Sequence, residues 1–295
     1  MNLNKIIDPD SVGYPYQSKT KLTYNIDEFL YEETSLKNNH KNLLLIIDPQ
    51  NDFMEDGSLP VKGARNDMLN LISFIYDNLK KIDKIKVSLD THSYTQIFYQ
   101  SWWKDSDGNH PDYYSIIKSD SKFKPLFHKK QSELYVKYLN KMNKDLIIWP
   151  YHCILGTYGH NIEPNLENML SYFTLVTKKK VEKITKGSNP LSEMYGIFRE
   201  EYSNLKLSST LAAAYGHYEN IIVAGEAKSH CVLESIKQLC EFYQFDNFNS
   251  NIFILDDCTT SIQGYEEKTE TEFKILSSKY NVILTNSKKN NFVKK

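Results

Sequence analysis

Cys231 has the sequence setting of a nucleophilic cysteine. It lies in the stretch IIVAGEAKSHCVLESI, where an apolar run ending at Ala224 indicates a buried strand and Val232 begins a helical pattern. A thiol at the start of a helix is close to unpaired backbone N–H groups and to the positive end of the helix dipole, which lower its pKa. A lone cysteine is more often a small core residue, so other residues must decide between the two interpretations.

Two charged residues at predicted strand ends are candidates to activate this thiol. Asp48 follows five aliphatic residues in the segment LLLIIDPQNDF, where a buried carboxylate would act as a general base. The alternative is that Asp48 and Asn51 cap the helix that follows. Lys186 precedes Gly187, and inside a cleft its ammonium would pair with a carboxylate and stabilise a thiolate. Most lysines are solvated surface residues, so this role needs support from the rest of the chain.

A second group of polar residues has metal-binding chemistry. Asp90 and His92 are two residues apart at the end of a strand, so both side chains point to the same face of an extended chain. His152 follows Pro150 at the end of a third predicted strand and would complete three ligands for a divalent metal such as zinc. The alternatives are a hydrogen-bonded Asp–His pair and a histidine bonded to the backbone.

Alternating strands and helices are expected to position these residues. The apolar runs predict strands at 43–47, 85–89, 146–149, 181–185, 221–224, 252–255 and 282–284. Helical patterns lie near 64–80, 131–142, 163–171, 208–217, 231–244 and 266–279. This alternation predicts an α/β fold, a single doubly wound domain whose mostly parallel sheet has about six strands. Ligands of such sheets bind beyond the carboxyl ends of the strands.

The predicted domain spans residues 41–287. Residues 1–40 precede the first strand and are expected to form an N-terminal arm packed on the domain, and residues 288–295 a polar tail. The span 93–145 is a long insert with many aromatic residues, which is typical of a lid or an interface.

The bulk composition argues against polyanionic and membrane partners. The net charge is -1 over 295 residues, so neither nucleic acid nor a membrane surface is an expected partner. No apolar run approaches membrane-spanning length. The 4 cysteines have no C-x-x-C spacing, which favours a reduced, cytoplasmic compartment.

The order of the motifs resembles the nicotinamidase branch of the isochorismatase-like cysteine hydrolases. The series is D-x-Q-N-D-F with G-S-L, then D-x-H, W-P-x-H-C-x-x-G-T-x-G, K-G and S-H-C-V, between Leu43 and Asp257. The resemblance implies a catalytic triad of Asp48, Lys186 and Cys231. It also implies that Phe53 and Trp149 hold an aromatic substrate ring, a role that core packing would not exclude for Trp149.

The segment before Cys231 carries a further implication of the resemblance. Backbone N–H groups of Ala227 and Cys231 would form an oxyanion hole, with a cis peptide between Glu226 and Ala227. Glu226 and Lys228 add charges next to the nucleophile. They either fix the turn through surface ion pairs or select a polar substrate.

The metal site departs from the family pattern. The resemblance implies Zn²⁺ held by Asp90, His92 and His152, but nicotinamidases usually add another histidine shortly after D-x-H. Gln96 and Tyr99 lie in that region here, which puts the affinity for the metal in doubt. His110 is either a substitute ligand or an ordinary loop residue.

The resemblance implies hydrolysis of a small carboxamide. Nicotinamide and water would give nicotinate and ammonia through a thioester on Cys231. Two alternatives stay open: a related cysteine hydrolase acting on another small amide or ureido compound, and a catalytically inactive binding subunit whose aromatic insert is the interface. The expected partners are the small-molecule amide substrate and further copies of the chain in a homo-oligomer.

Overall fold

A six-stranded parallel sheet forms the centre of the fold, as the sequence predicts. The structure, a computed structural model, describes residues 2–14, 41–203 and 207–289. Its strands are β1 (Asn42–Ile47), β2 (Lys84–Asp90), β3 (Trp103–Lys104), β4 (Ile116–Ile117), β5 (Lys124–Pro125), β6 (Leu146–Ile147), β7 (Glu182–Lys186), β8 (Asn220–Gly225), β9 (Asn251–Leu255) and β10 (Val282–Thr285). The sheet order is β10-β9-β8-β1-β2-β7, and each neighbouring pair is parallel.

Helices alternate with these strands. The α-helices are α1 (Ala64–Asp77), α2 (Lys129–Lys141), α3 (Pro164–Thr177), α4 (Ser209–Gly216), α5 (Leu233–Glu241) and α6 (Glu266–Lys279). Short 3₁₀ turns are Leu3–Lys5, Pro9–Ser11, Asn51–Phe53, Gln100–Trp102, Phe242–Gln244 and Asp256–Cys258, and Lys228–Val232 is a π-helical segment. Within the described ranges, no helix combines the length and apolarity that crossing a membrane requires.

Both faces of the sheet are covered, because successive side chains of its buried strands point in opposite directions. Every residue of β1 is buried. Leu44 and Ile46 lie in the same core cluster as apolar residues of α1 and α3, whereas Leu43 and Leu45 cluster with residues of α4, α5 and α6. The carboxyl end of β1 therefore lies near the middle of the sheet, between the ends of β8 and β2.

The prediction of a main-sheet strand at 146–149 was wrong. Only Leu146–Ile147 is strand, and it pairs antiparallel with β4 in a separate two-stranded sheet, while β3 pairs with β5 in another. The apolar run is short and is followed by Pro150, and the insert supplies β4 as its partner. An apolar run indicates burial, but it does not indicate which sheet a strand joins.

The tryptophans of the insert 93–145 are packed inside the domain. Trp102 and Trp103 are buried. The indole of Trp102 donates to the Ser132 hydroxyl of α2, and that of Trp103 donates to the carbonyl of Ile97. These side chains therefore stabilise the insert itself and leave little aromatic surface from this pair for an interface.

The beginning of the N-terminal arm packs on the domain. Ile6 and Ile7 are buried in the core cluster of α1 and α3. Residues 15–40 of the predicted arm and residues 290–295 of the predicted tail lie outside the described residues. The boundaries of the arm, domain and tail therefore stay predictions.

Gly225 ends β8 with a backbone that only glycine adopts easily. Its φ is +112°, and a Cβ built there would lie 2.0 Å from the carbonyl oxygen of Ile47 in β1. We expect Gly225→Ala to lower the free energy of unfolding by about 3 kcal/mol or more, measured by urea denaturation. Gly156→Ala is the matched control, because φ is +85° there and nothing lies within 4 Å of the added Cβ. Its cost should be about 1–2 kcal/mol, and equal losses in the two variants would contradict the steric argument.

Candidate active site

Asp48, Lys186 and Cys231 meet at the carboxyl ends of their strands. Asp48 directly follows β1, Lys186 is the last residue of β7, and Cys231 lies in the π-helical segment after β8. The Lys186 ammonium nitrogen is 3.0 Å from Asp48 Oδ2 and 3.5 Å from Cys231 Sγ. All three side chains are buried. The structure thus places the three predicted triad residues in mutual contact.

The backbone at Asp48 holds its carboxylate in place. Asp48 has a φ of +43°, in the left-handed region that favours glycine, and non-glycine residues in that region are frequent at functional sites. Its N–H donates to Ser88 Oγ at 3.1 Å, and that hydroxyl donates back to Asp48 Oδ1 at 2.6 Å. Ser88 therefore fixes Oδ1, and Oδ2 is left facing Lys186.

Lys186 is shared by two buried carboxylates. Its nitrogen is 2.9 Å from Asp90 Oδ1 in addition to its contact with Asp48. Although burial opposes ionisation of the lysine, Asp48 and Asp90 hold the pKa of Lys186 well above its usual value. Burial raises the pKa of Asp48, and Lys186 only partly counteracts it. For Asp90, His92 and Lys186 outweigh burial and hold the pKa well below its usual value.

The expectation of a lowered thiol pKa at Cys231 was wrong. Burial raises the pKa of Cys231 well above its ordinary value, and Asp48 and Asp90 add to this increase, while Lys186 opposes it. Cys231 also lies inside the π-helical segment Lys228–Val232, before the regular helix α5 starts. The resting residue is therefore a neutral thiol, and it needs a base to remove its proton. Asp48, with its raised pKa, has the properties of that base.

The peptide between Glu226 and Ala227 is cis, as predicted. Among the turn and loop hydrogen bonds of the described residues, the Ala227 N–H is not a donor. Ala227 and Cys231 line the same pocket. The residues of the predicted oxyanion hole therefore lie together at this pocket wall.

The charges beside Cys231 face away from this pocket. Lys228 forms ion pairs with Asp256, at 2.7 Å, and with Glu270 of α6. Glu226 is fully buried rather than part of a surface pair, and burial and the neighbouring carboxyl of Asp67 in α1 raise its pKa well above the usual value. Both residues therefore fix the turn, one through partly exposed ion pairs and the other through a buried pair of carboxyl groups.

Asp90, His92 and His152 form a group that could hold a metal ion. One ligand atom from each lies within 4.8 Å of the other two, and all three residues are buried. The His92 Nδ1–H donates to the Gly187 carbonyl at 3.0 Å, and the His152 Nδ1–H donates to the Pro150 carbonyl at 2.8 Å. Both Nε2 atoms point toward Asp90 Oδ2, at 2.9 and 3.7 Å. Two imidazole nitrogens and one carboxylate oxygen suit a catalytic zinc site with open positions.

Gln96 and Tyr99 lie where nicotinamidases usually have another histidine, and they hydrogen bond to the backbone around this group. Gln96 Nε2 donates to the carbonyl of Gly187 at 2.7 Å, and its Oε1 accepts from the Ser93 N–H. The Tyr99 hydroxyl donates to the His152 carbonyl at 3.2 Å. His110 hydrogen bonds to backbone carbonyls of the insert and lies outside the group. In the described chain, the ligand set is therefore three residues.

The D-x-Q-N-D motif positions the His152 loop against the strand ends. Asp52 accepts a hydrogen bond from the Cys153 N–H at 2.7 Å. Gln50 donates to the Asp90 carbonyl and accepts from the Asp90 N–H, which joins the end of β1 to the end of β2. Although 146–149 is not a strand of the main sheet, the Asp52 bond to Cys153 and the backbone bonds of His92 with Cys153 and Leu155 bring the His152 loop to the site.

Aromatic residues enclose the pocket at Cys231. The pocket contains about 380 Å³ of empty space, including its opening. Phe53 and Trp149, which the resemblance predicts to hold a substrate ring, both line it, together with Cys231 and the three candidate metal ligands. Sequence reasoning missed six other wall residues: Leu59, Phe98, Glu193, Tyr195, His230 and Ile262. Two of them lie in motifs of the sequence: His230 precedes Cys231 in S-H-C-V, and Leu59 ends G-S-L.

The sequence matches no family model and no curated protein. The fold is nevertheless similar to those of solved nicotinamidases. The Acinetobacter baumanii nicotinamidase and pyrazinamidase matches with a TM-score of 0.58 and 18% identity, over 85% of this chain and 98% of that one. The yeast nicotinamidase bound to the inhibitor nicotinaldehyde matches with a TM-score of 0.60 and 20% identity, over 83% of this chain and 100% of that one. The Pyrococcus horikoshii pyrazinamidase in complex with zinc matches with a TM-score of 0.51 and 16% identity, over 83% of this chain and 99% of that one. The chain therefore has the α/β fold of nicotinamidases.

The ligand geometry predicts one zinc site per chain. After incubation with excess Zn²⁺ and desalting, elemental analysis should find about one zinc per chain in the native protein. His92→Ala should lose most of this zinc, because it removes one of three ligands. His110→Ala is the control and should retain it, with circular dichroism confirming that both variants fold. Equal zinc contents in the two variants would contradict the assignment.

The carboxyl pair beside the cis peptide predicts a dependence of stability on pH. Burial raises the pKa of Asp67 from 3.8 to about 6. The folded protein then holds this proton more tightly than the unfolded chain, so its stability should decrease as the pH rises from 3.8 to about 6. The loss should reach at most about 3 kcal/mol. Asp67→Asn should make this decrease smaller in urea unfolding at pH 4 to 7, while the part due to the raised pKa of buried Glu226 remains. Parallel profiles for the two proteins would argue against it.

Proposed function

We propose that this protein is a cysteine-dependent amidohydrolase that hydrolyses a small aromatic carboxamide, with nicotinamide as the first candidate. The proposal rests on one observation, the buried contact of Lys186 with both Asp48 and Cys231 at the wall of an aromatic pocket. A base, a cation and a thiol in contact are the parts that nucleophilic acyl transfer requires. The nicotinamidase fold is consistent with this chemistry.

The first step is a proton transfer inside the triad. Asp48 removes the proton of Cys231, and Lys186 stabilises the thiolate that results. The transfer moves one negative charge from Asp48 to sulfur, so the net charge of the buried group stays constant. The raised pKa of Asp48 favours its protonated form after the transfer. A buried thiol with a raised pKa can therefore react without being ionised at rest.

The thiolate then attacks the amide carbon. The carbonyl oxygen becomes an oxyanion, which the N–H groups of Ala227 and Cys231 stabilise. When the tetrahedral intermediate collapses, the C–N bond breaks and protonated Asp48 gives its proton to the leaving ammonia. The product at this stage is a thioester on Cys231.

Water completes the reaction. Asp48 takes a proton from a water molecule as its oxygen attacks the thioester carbon. The C–S bond breaks, the carboxylic acid product leaves, and the proton on Asp48 returns to Cys231. The chain thus uses one base in both halves of the reaction.

Asp90, His92 and His152 would hold a divalent metal, with zinc as the proposed ion. When bound, such an ion would supply a Lewis acid that orients either a ring nitrogen of the substrate or a water molecule next to it. In addition, Asp90 holds Lys186 through its other carboxylate oxygen. This second contact gives Asp90 a role in the triad that is separate from metal binding.

A second candidate function keeps the triad and changes the substrate to another small amide or ureido compound. The three-residue ligand set, with Gln96 and Tyr99 bonded to backbone carbonyls, favours it. The alternative of an inactive binding subunit is disfavoured by the contacts among Asp48, Lys186 and Cys231. A homo-oligomer and a cytoplasmic location stay predictions from the sequence.

Replacing the nucleophile should abolish the reaction. Cys231→Ala should lower ammonia release from nicotinamide at least about 10⁴-fold, because the thioester can no longer form. Cys240→Ala is a matched control, since Cys240 is also a buried, unpaired cysteine and lies in α5. It should keep nearly full activity. Undiminished ammonia release by Cys231→Ala would rule out the mechanism.

The substrate itself is tested by a panel of small amides and ureido compounds. Native protein that releases ammonia from other members but not from nicotinamide would favour the second candidate function. Native protein that is inactive on every member would favour the binding subunit.

A further inference from the structure

Ser88 contacts the proposed general base from the neighbouring strand and has no role in the mechanism above. It lies in β2 and is fully buried. The parallel strands β1 and β2 pair Ile46 with Val87, so Ser88 lies beside the end of β1, where Asp48 follows. Its hydroxyl has a single hydrogen. Because the Asp48 N–H already donates to Oγ, that hydrogen goes to Asp48 Oδ1, which is 2.6 Å away.

The two carboxylate oxygens of Asp48 therefore have different surroundings. Oδ1 accepts the Ser88 hydrogen, whereas Oδ2 is buried and has no hydrogen-bond partner among the described residues. Lys186 lies 3.0 Å from Oδ2, but its hydrogen bonds go to Asp90 Oδ1 and Cys231 Sγ. A proton placed on Oδ1 would give up the short bond from the serine, and such charge-assisted bonds are strong. A proton from Cys231 therefore belongs on Oδ2.

Rotation of the carboxylate would remove this difference. In the proposed reaction Asp48 takes a proton from the thiol, gives it to ammonia and takes another from water. Each transfer requires a carboxylate oxygen within hydrogen-bond reach of the other partner. Because one hydroxyl binds both the N–H and Oδ1 of Asp48, it restricts rotation of this side chain.

We propose that Ser88 is a positioning residue of the reaction, which binds Oδ1 of Asp48 and thereby keeps Oδ2 as the oxygen that carries the proton. The inference rests on the proposed function and adds a residue to its machinery. Ser88 does not line the pocket, so it acts through Asp48 and not on the substrate.

Three substitutions separate this role from a contribution to packing. Ser88→Ala removes the hydroxyl and leaves the rest of the residue. Ser88→Thr keeps a hydroxyl, and a β-branched side chain suits a strand. Ser250→Ala is the matched control, because Ser250 is also buried and its hydroxyl donates to the Tyr218 carbonyl at 2.6 Å. Ser250 is not among the residues that line the pocket.

The assay uses the amide of the panel that the native protein hydrolyses fastest. We expect Ser88→Ala to lower kcat about 10–100-fold and to leave KM within about 3-fold, because the base is misplaced while the pocket wall is intact. Ser88→Thr should restore kcat, and Ser250→Ala should keep it, with urea unfolding reporting the stability of each variant. Equal losses of kcat in Ser88→Ala and Ser250→Ala would show a structural role and overturn the inference. A Ser88→Thr variant that is as stable as the native protein but as slow as Ser88→Ala would overturn the role of the hydroxyl.

The orientation of Asp48 separates failure of the inference from failure of the proposed function, because it requires no turnover. Crystal structures of the native protein and of Ser88→Ala should show the Asp48 carboxylate turned, or in two orientations, in the variant only. If the native protein releases no ammonia from any amide and the carboxylate still turns in Ser88→Ala, the proposed function fails and the positioning of Asp48 by Ser88 stands. If the carboxylate keeps its native orientation in Ser88→Ala, the inference is overturned whatever the activity.

Discussion

The Lys186 ammonium between two buried carboxylates is the interaction on which the site depends. It contacts Asp48 and Asp90 at the ends of two adjacent central strands, and it reaches Cys231 as well. Removing one partner from a buried charge network leaves another charge uncompensated, which typically costs about 3–5 kcal/mol. The single cation does not neutralise both carboxylates and a thiolate together. A proton must therefore stay within the group, and its position on Asp48 or on Cys231 sets whether the Cys231 sulfur is a thiol or a thiolate.

Much of this arrangement follows from local sequence patterns. Apolar runs predict the six parallel strands, and a polar residue directly after such a run must emerge at the carboxyl edge of the sheet. Asp48, Asp90 and Lys186 satisfy this condition. The strand order is a different matter, because it depends on contacts between segments far apart in sequence. Nothing in the runs themselves indicates that β1 lies between β8 and β2, which places Asp48 between the strand end that precedes Cys231 and the strand end that carries Asp90.

The remaining features depend on which side chains the folded chain buries, and the sequence of a single segment does not show this. Cys231 was expected to have a lowered pKa from its place near a helix start, but burial and two carboxylates raise it. Glu193 is a single acid in a polar stretch, and only the packing of Trp149 and Tyr195 around it distinguishes it from a surface residue. The apolar run at 146–149 shows the same limitation, since its partner is a strand of the insert rather than of the main sheet.

The position of β7 gives Lys186 a mechanical role. In the described sheet β7 is an edge strand, paired on one side only, and Lys186 is the one buried residue among its five. Edge strands usually open locally at low cost, because one neighbour alone holds them. Here the last residue of the edge strand, Lys186, contacts Asp90 at the end of β2 and Asp48 after β1. Separating β7 from the sheet would therefore leave these two buried carboxylates without their counter-ion. Lys186 therefore also holds this edge of the sheet against local opening, and such opening would separate Lys186 from Asp48 and Cys231 at the same time.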